Sequence, residues 1–275
     1  MNIKKCFLTA NRCYITGLKM TGGKPTGIVV HSTGVNNKTL KRYVQPLKTD
    51  ENYAEVIEDI GRNLYGNHWN NKNKSACVHA FIGVNKAGEV ETYQTLPWDV
   101  CCWGVGSGRK GSYNYNPTAR IQFEICEDNL KDEKYFNAVF EEAAELCAHL
   151  CEKYGLSVES ICSHAESYKA GYGSNHADCD HWLKRFGKNM DWFRAKVKAI
   201  IDKPEEETFK PYLVRVNVRA LNIRKGAGTN YGIAGVIRGK GVYTIVDEAT
   251  GQGATKWGKL KSGAGWISLD YAKKI

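Results

Sequence analysis

Ser163-His-Ala-Glu-Ser-Tyr-Lys-Ala-Gly-Tyr-Gly-Ser-Asn-His-Ala-Asp-Cys-Asp-His-Trp182 is the stretch around which the rest of the chain can be read. It holds three of the seven histidines, His164, His176 and His181, together with Glu166, Asp178, Cys179 and Asp180. Gly171 and Gly173 interrupt it, so it reads as a loop between two helices. A loop broken in this way can fold back and aim side chains from both ends at one point. Imidazole and carboxylate are the usual protein ligands of zinc, which makes His164 and Asp178 the first candidates for one metal. A polar, histidine-rich surface loop is the competing reading, since one loop supplies at most two or three ligands.

Upstream, Thr26-Gly-Ile-Val-Val-His-Ser-Thr33 reads as a buried strand bounded by Gly27 and Gly34. His31 stands at its end, either facing a cleft or hydrogen-bonded inside the core. Arg120 to Glu127 alternates as a second strand, with Ile121, Phe123 and Ile125 on one face. Glu124 falls on the other face, between apolar neighbours, and is either a catalytic carboxylate or part of an exposed face. Val78–Val84 and Glu89–Thr95 read as a hairpin, with His79, Phe81 and Gly83 sharing one side. Helical spacing runs over Asn52–Leu64 and, most clearly, over residues 134–154, where Gly155 ends the pattern. A basic helix follows over Asn189–Ile201. This order predicts an α/β domain, a mixed central sheet flanked by helices, over residues 1–201. Cys101–Gly108 is a glycine-rich loop around Trp103 and lacks the spacing of a phosphate-binding loop.

Composition narrows the function. Hydrophobic residues make up 42% of the 275, enough for a real core. No apolar run approaches the roughly 20 residues of a membrane span. Met1–Arg12 carries two lysines and only a short apolar patch, so it does not read as a secretory leader. Synthesis in the cytoplasm is the expectation, and a chain that acts outside then needs another way out. Ten cysteines occur without a Cys-x-x-Cys pair, which predicts free, partly buried thiols and neither a zinc ribbon nor a disulfide framework. The last of them is Cys179.

The charge shifts near the same place. Residues 211–275 hold eleven lysines and arginines against three acidic residues, +8 of the chain's +10. A basic terminal module suits an anionic partner such as a wall polymer, lipid or nucleic acid. Residues 202–211, acidic and bounded by prolines, read as a linker. Beyond it, six short β-like runs between Tyr212 and Leu269 alternate with glycine turns and predict a small all-β barrel over residues 212–275.

His31, Glu124 and the Ser163–Trp182 stretch, taken together, resemble the zinc-dependent N-acetylmuramoyl-L-alanine amidases of the peptidoglycan-recognition-protein and phage-lysozyme superfamily. Val-Val-His31-Ser-Thr is similar to that family's first metal-ligand strand. Trp103-Gly104-Val105-Gly106 resembles its Trp-His-Ala-Gly loop, with Gly104 in the histidine's place. Ile121-Gln122-Phe123-Glu124 resembles its Ile-Gly-Ile-Glu strand, and Asn175-His176-Ala177-Asp178 its closing metal motif. The likeness covers roughly residues 1–200. Val218–Gly226 and Gly265-Trp266-Ile267 resemble the bacterial Src-homology-three-like modules of cell-wall hydrolases. The pairing is similar to that of a phage or prophage endolysin.

The resemblance implies one Zn2+ at His31, His164 and Asp178, with Glu124 as general base and His176 donating to the oxyanion where the family often has lysine. Cys179 stands where the family often has proline, and its thiolate is the fallback ligand. His79 and Trp103 are implied substrate contacts, and Tyr113 and Tyr115 either line the groove or pack. The implied partners are bacterial peptidoglycan and other anionic wall polymers, with no nucleic acid. Two further readings stay open: a non-catalytic peptidoglycan receptor on the same fold, and a cysteine-dependent wall peptidase.

Overall fold

Five consecutive buried residues, Ile28 to Ser32, mark a strand covered on both faces. The computed structural model describes residues 1–203 and 209–275, so half of the expected linker, residues 204–208, lies outside the described residues. The described chain divides into two compact units, Met1–Lys203 and one that ends at Ile275. In the first, the elements run β1 (Ile3–Lys5), α1 (Arg12–Thr16), β2 (Ile28–Ser32), α2 (Tyr53–Ile60), β3 (Ala80–Val84) and β4 (Val90–Gln94). There follow β5 (Ile121–Ile125), α3 (Glu133–Tyr154), β6 (Ile161–Ser163), α4 (His164–Ala170), α5 (Asp180–Arg185) and α6 (Met190–Ile201). The sheet order is β1-β4-β3-β5-β2-β6. β3 and β4 pair antiparallel, and the other pairings are parallel.

Alternation in the strands sorts the side chains into two layers. Ile28, Val30, Ala80, Ile82, Ile121, Phe123 and Ile125 join one core with α3, α5 and α6. Helix α3 supplies that core because its apolar stripe recurs at helical spacing. Asp132 caps its start by accepting from the Tyr135 N–H, and Gly155, at φ 65°, closes its end. Fully burying one of its Phe or Leu side chains contributes about 1.5–3 kcal/mol. On the opposite face, Phe81, Tyr93 and Cys126 pack with Leu40, Tyr43, Val56 and Ile60. His31, Gln122 and Glu124 fall on this second face, so the site is built where the sheet is covered by loops and α2.

Several expectations change. Helix α2 stops at Ile60 because Gly61 turns to φ 82°, and Leu64 is left 79% exposed. Strands β1 and β6, three residues each, are too short to carry a sequence pattern. Half of the Ser163–Trp182 stretch is helical, with an irregular segment between α4 and α5. Ser163 accepts from the Glu166 N–H while the Glu166 side chain accepts from the Ser163 N–H, a capping box that starts α4 at His164. Cys13 and Cys77, 64 residues apart, form a disulfide, contrary to the expectation of free thiols. α1 and the run before β3 meet in a cluster with Leu96, Val100 and Cys102, a proximity that only the tertiary fold creates. The other eight cysteines are free.

The second unit contains β7 (Tyr212–Val216), β8 (Ala220–Arg224), β9 (Ile233–Arg238), β10 (Val242–Gly251), β11 (Ala254–Leu260), β12 (Trp266–Ser268) and β13 (Ala272–Lys274). They form one antiparallel sheet in the order β13-β7-β10-β11-β12-β8-β9. A single core takes Val214 and Val216 from β7, Leu221 from β8 and Ile237 from β9. Residues from both halves of the strand order share that core, so the sheet curls around it. Among the described residues, no helix is long and apolar enough to cross a membrane.

Candidate metal centre

Register brings the two histidines together. β2 and β6 are parallel neighbours with Val30 opposite Ser163, so His31 and His164 each follow by one residue. The capping box then turns the chain at His164 and fixes its backbone. Asp178 arrives from the irregular segment between α4 and α5. His31 Nδ1 lies 3.0 Å from Asp178 Oδ2 and 3.1 Å from His164 Nδ1, and His164 Nδ1 lies 3.4 Å from Asp178 Oδ1. Both imidazoles are buried and the carboxylate is half-buried. Burial alone would raise the Asp178 pKa, but when the metal-free His164 and His31 rings carry a proton on Nδ1 their hydrogen bonds override it and hold the carboxyl well below its usual range. Three potential donor atoms within 4.8 Å of one another, two nitrogens and one oxygen, match the ligand set of a hydrolytic zinc site.

Glu124 stands beside this triad. It pairs with His31 across the parallel strands, and its Oε2 is enclosed without a hydrogen-bond partner among the described residues. Burial, reinforced by the negative charges of Asp178 and Glu127, pushes its pKa well above the usual carboxylate value. An unpartnered carboxyl oxygen next to a donor triad is chemically poised to accept and release a proton. His176 is exposed and stacks on His164, with ring centroids 4.8 Å apart, so it lies on the solvent side of the triad. Trp103 is half-buried against the cluster that contains the disulfide.

Other expected site residues fall elsewhere. His79 is fully buried and cannot line a groove. The Gln122 N–H donates to its Nδ1 at 3.0 Å, and its Nε2 bonds the Val100 carbonyl at 2.8 Å. Burial depresses its pKa to about 4, so it is a neutral pin between β5 and the 97–102 loop. Tyr113 is also packed, stacked on Tyr172 with Arg120 above it at 3.8 Å, while Tyr115 is exposed. Cys179 is buried in the α3 core and is not among the converging ligand atoms, which removes the fallback. Glu166 is occupied by its cap and by Arg194, at 2.9 and 3.1 Å.

The N-acetylmuramoyl-L-alanine amidase family profile matches residues 21–181, more than half of the chain. The chain belongs to that family. The curated Protein Ami of Listeria monocytogenes serotype 1/2a is 23% identical over 237 residues, which are 83% of this chain and 21% of the relative. The chain therefore spans about a fifth of that relative's length. Among solved structures, a Staphylococcus aureus hydrolase, AmiA, in complex with its ligand is 20% identical, with a TM-score of 0.48 over 73% of this chain and 83% of that one. A mutant endolysin from Bacillus subtilis is 20% identical, with a TM-score of 0.46 over 72% of this chain and 99% of that one.

Two departures from the amidase motifs prove to be linked. A side chain at Gly104 would start 2.5 Å from Gln122 Oε1, so a histidine at 104 would displace the Gln122 amide from its present position. Gln122 uses that space to reach His31 Nε2 at 3.1 Å. Ser174 does the same for His164 Nε2, also at 3.1 Å. Glu127 is a further residue that pattern reasoning passed over. It accepts from Ser32 Oγ at 2.6 Å and pairs with His181 Nε2 at 3.0 Å, tying the start of α5 to the ends of β2 and β5. Only its strict proximity to the Glu124 strand hinted at a role.

Proposed function

We propose that this amidase-family chain hydrolyses the amide bond between the lactyl group of N-acetylmuramic acid and L-alanine in bacterial peptidoglycan, with one zinc ion held by His31, His164 and Asp178. One observation carries the reading: the inward convergence of those three donors beside the enclosed, unpartnered carboxyl oxygen of Glu124. When bound, zinc supplies a Lewis acid that polarises a carbonyl and acidifies water. Glu124 accepts the water proton at its carboxylate and later delivers it to the leaving amine. Its raised pKa suits both halves of that exchange. His176, exposed above His164, donates a hydrogen bond to the oxygen that gains charge. Trp103 offers an apolar face to sugar or stem peptide.

A complete ligand set argues for an enzyme over a binding-only relative. Thiol chemistry is disfavoured, because burial pushes the Cys6 thiol up to about 12 and Cys151 and Cys162 up to about 11. The curled C-terminal sheet is proposed to hold the enzyme on the wall. It carries a cleft of roughly 430 Å³ that includes Asn222, Arg224, Thr229, Trp257, Ser268 and Tyr271. Its net +8 adds attraction to anionic wall polymers. Mass spectrometry of digested walls tests the activity. New L-alanine amino termini with intact glycan strands are expected, whereas cut glycan or cut stem peptides overturn the proposal.

A further inference from the structure

The two histidines present Nδ1 to the centre and Nε2 to the protein, and the hydrogen-bond partners behind them decide where each ring keeps its proton. On the His31 side the chain of bonds can be followed from an unambiguous donor. The Val105 N–H donates to Asn114 Oδ1 at 3.1 Å, which makes that atom the carbonyl oxygen. Asn114 Nδ2 donates to the Gly106 carbonyl, in agreement. Asn114 Oδ1 therefore accepts from Gln122 at 3.0 Å, and the Gln122 amide nitrogen also faces the Tyr113 carbonyl. Gln122 must then turn its oxygen to His31 Nε2, and an oxygen there requires Nε2–H on the ring. On the His164 side, Ser174 Oγ lies 3.1 Å from the Val105 carbonyl, which can only accept. The hydroxyl proton goes to that carbonyl, and Ser174 Oγ accepts from His164 Nε2–H.

We infer that the peptide groups of Val105 set the tautomers of both ligands, through Asn114 and Gln122 for His31 and through Ser174 for His164, so that both Nδ1 lone pairs are presented to a metal. The inference rests on the metal reading proposed above. Gln122 and Ser174 are positioning residues that act through the histidines. The arrangement gathers two ring nitrogens and a carboxylate with no protein donor between them, which a shared cation satisfies. It also assigns a task to the Trp103–Gly106 loop beyond contact with substrate: one residue of it orients both rings. The exchange at positions 104 and 122 fits this role, because the vacant side chain at 104 makes room for the glutamine that holds His31.

The test measures zinc affinity by chelator competition on the full chain, for wild type, Ser174→Ala, Ser174→Thr and Gln122→Leu. Loss of such a partner typically weakens metal binding about 10–100-fold. Ser174→Ala and Gln122→Leu are expected to weaken zinc at least tenfold, and Ser174→Thr, which keeps the hydroxyl, to recover most of it. Proton–nitrogen NMR of the zinc-loaded wild type should show two protected imidazole Nε2–H groups, with each weakening variant losing its own. Melting of metal-free Ser174→Ala should match wild type while the zinc-induced rise shrinks, which a merely structural role would not produce. Zinc affinity within twofold of wild type in folded Ser174→Ala, with the His164 Nε2–H retained, overturns the inference while leaving the metal reading intact. A wild type that binds no zinc overturns both.

Discussion

Replacing Glu124 by glutamine separates the chemistry of the site from its assembly. The side chain keeps its size and loses only the ability to take a proton. A positioned general base contributes about 10²- to 10⁴-fold to turnover, so Glu124→Gln is expected to lower kcat by that factor. At 1.36 kcal/mol per tenfold, this is about 3–5 kcal/mol of transition-state stabilisation. Bound zinc and KM should hold, because none of the three ligand side chains is altered. Stability should move the other way. The Glu124 carboxyl is raised above its usual pKa by burial and by Asp178 and Glu127. A folded pKa above the unfolded value of about 4.3 means that the native state binds the extra proton, so stability falls as pH rises from there through the folded pKa. Above that window the wild type carries an ionised, unpartnered carboxylate, and the glutamine does not. Metal-free Glu124→Gln should therefore melt higher than wild type at pH 8, by a margin that narrows toward pH 4. The activity assay counts L-alanine amino termini released from purified walls at matched zinc content. Turnover within tenfold of wild type would move the base role to another residue. A melting difference that ignores pH would show that the carboxyl is not strained by its surroundings.

Four more outcomes are expected. Zinc analysis of His31→Ala and of His164→Ala should find little metal, since each loses one of three donors; full occupancy in both would sink the site. The His181 pKa is raised chiefly by its bond to Glu127, so the pair stabilises the fold fully below the unfolded value of about 6.5 and loses that contribution as pH rises through the folded one. His181→Ala should accordingly lower the melting temperature at pH 5.5 more than at pH 8.5, and an equal loss at both would refute the ion pair. Closing a loop between residues 64 apart is worth roughly 4 kcal/mol in the chain-entropy picture, so reduction of Cys13–Cys77 should lower the melting temperature measurably. The C-terminal unit, expressed as residues 209–275, should sediment with purified walls, lose part of its binding as salt rises past about 0.1 M, where charges are screened beyond roughly 10 Å, and cut nothing; no binding at low salt would remove the targeting role.

Much of this protein is written locally and is legible in the sequence. The buried run at Ile28–Val30, the alternation at Ile121–Ile125 and the stripe along α3 are patterns in which each residue's burial depends on near neighbours, so periodicity reports them. The capping box at Ser163 and Glu166 is equally local, and missing it is what turned a helix into an expected loop. The candidate ligands and base were nameable because their residue types occur in recognisable short motifs.

What no stretch of sequence contains is the set of distances between those motifs. The pairing of Val30 with Ser163 sets His31 against His164, and a hydrogen-bond chain through Val105, Asn114 and Gln122 decides which ring nitrogen faces inward. The family resemblance implies a groove position for His79, yet the loop around Val100 covers it and accepts a hydrogen bond from its ring. Cys13 and Cys77 are ordinary thiols in sequence and partners only because α1 packs beside the run that precedes β3. Each of these depends on contacts between segments far apart in the chain, where closure of the fold, and not the propensity of any one segment, selects the neighbour. The sequence alone therefore determined which residues were available for the chemistry, and the tertiary structure decided which of them meet.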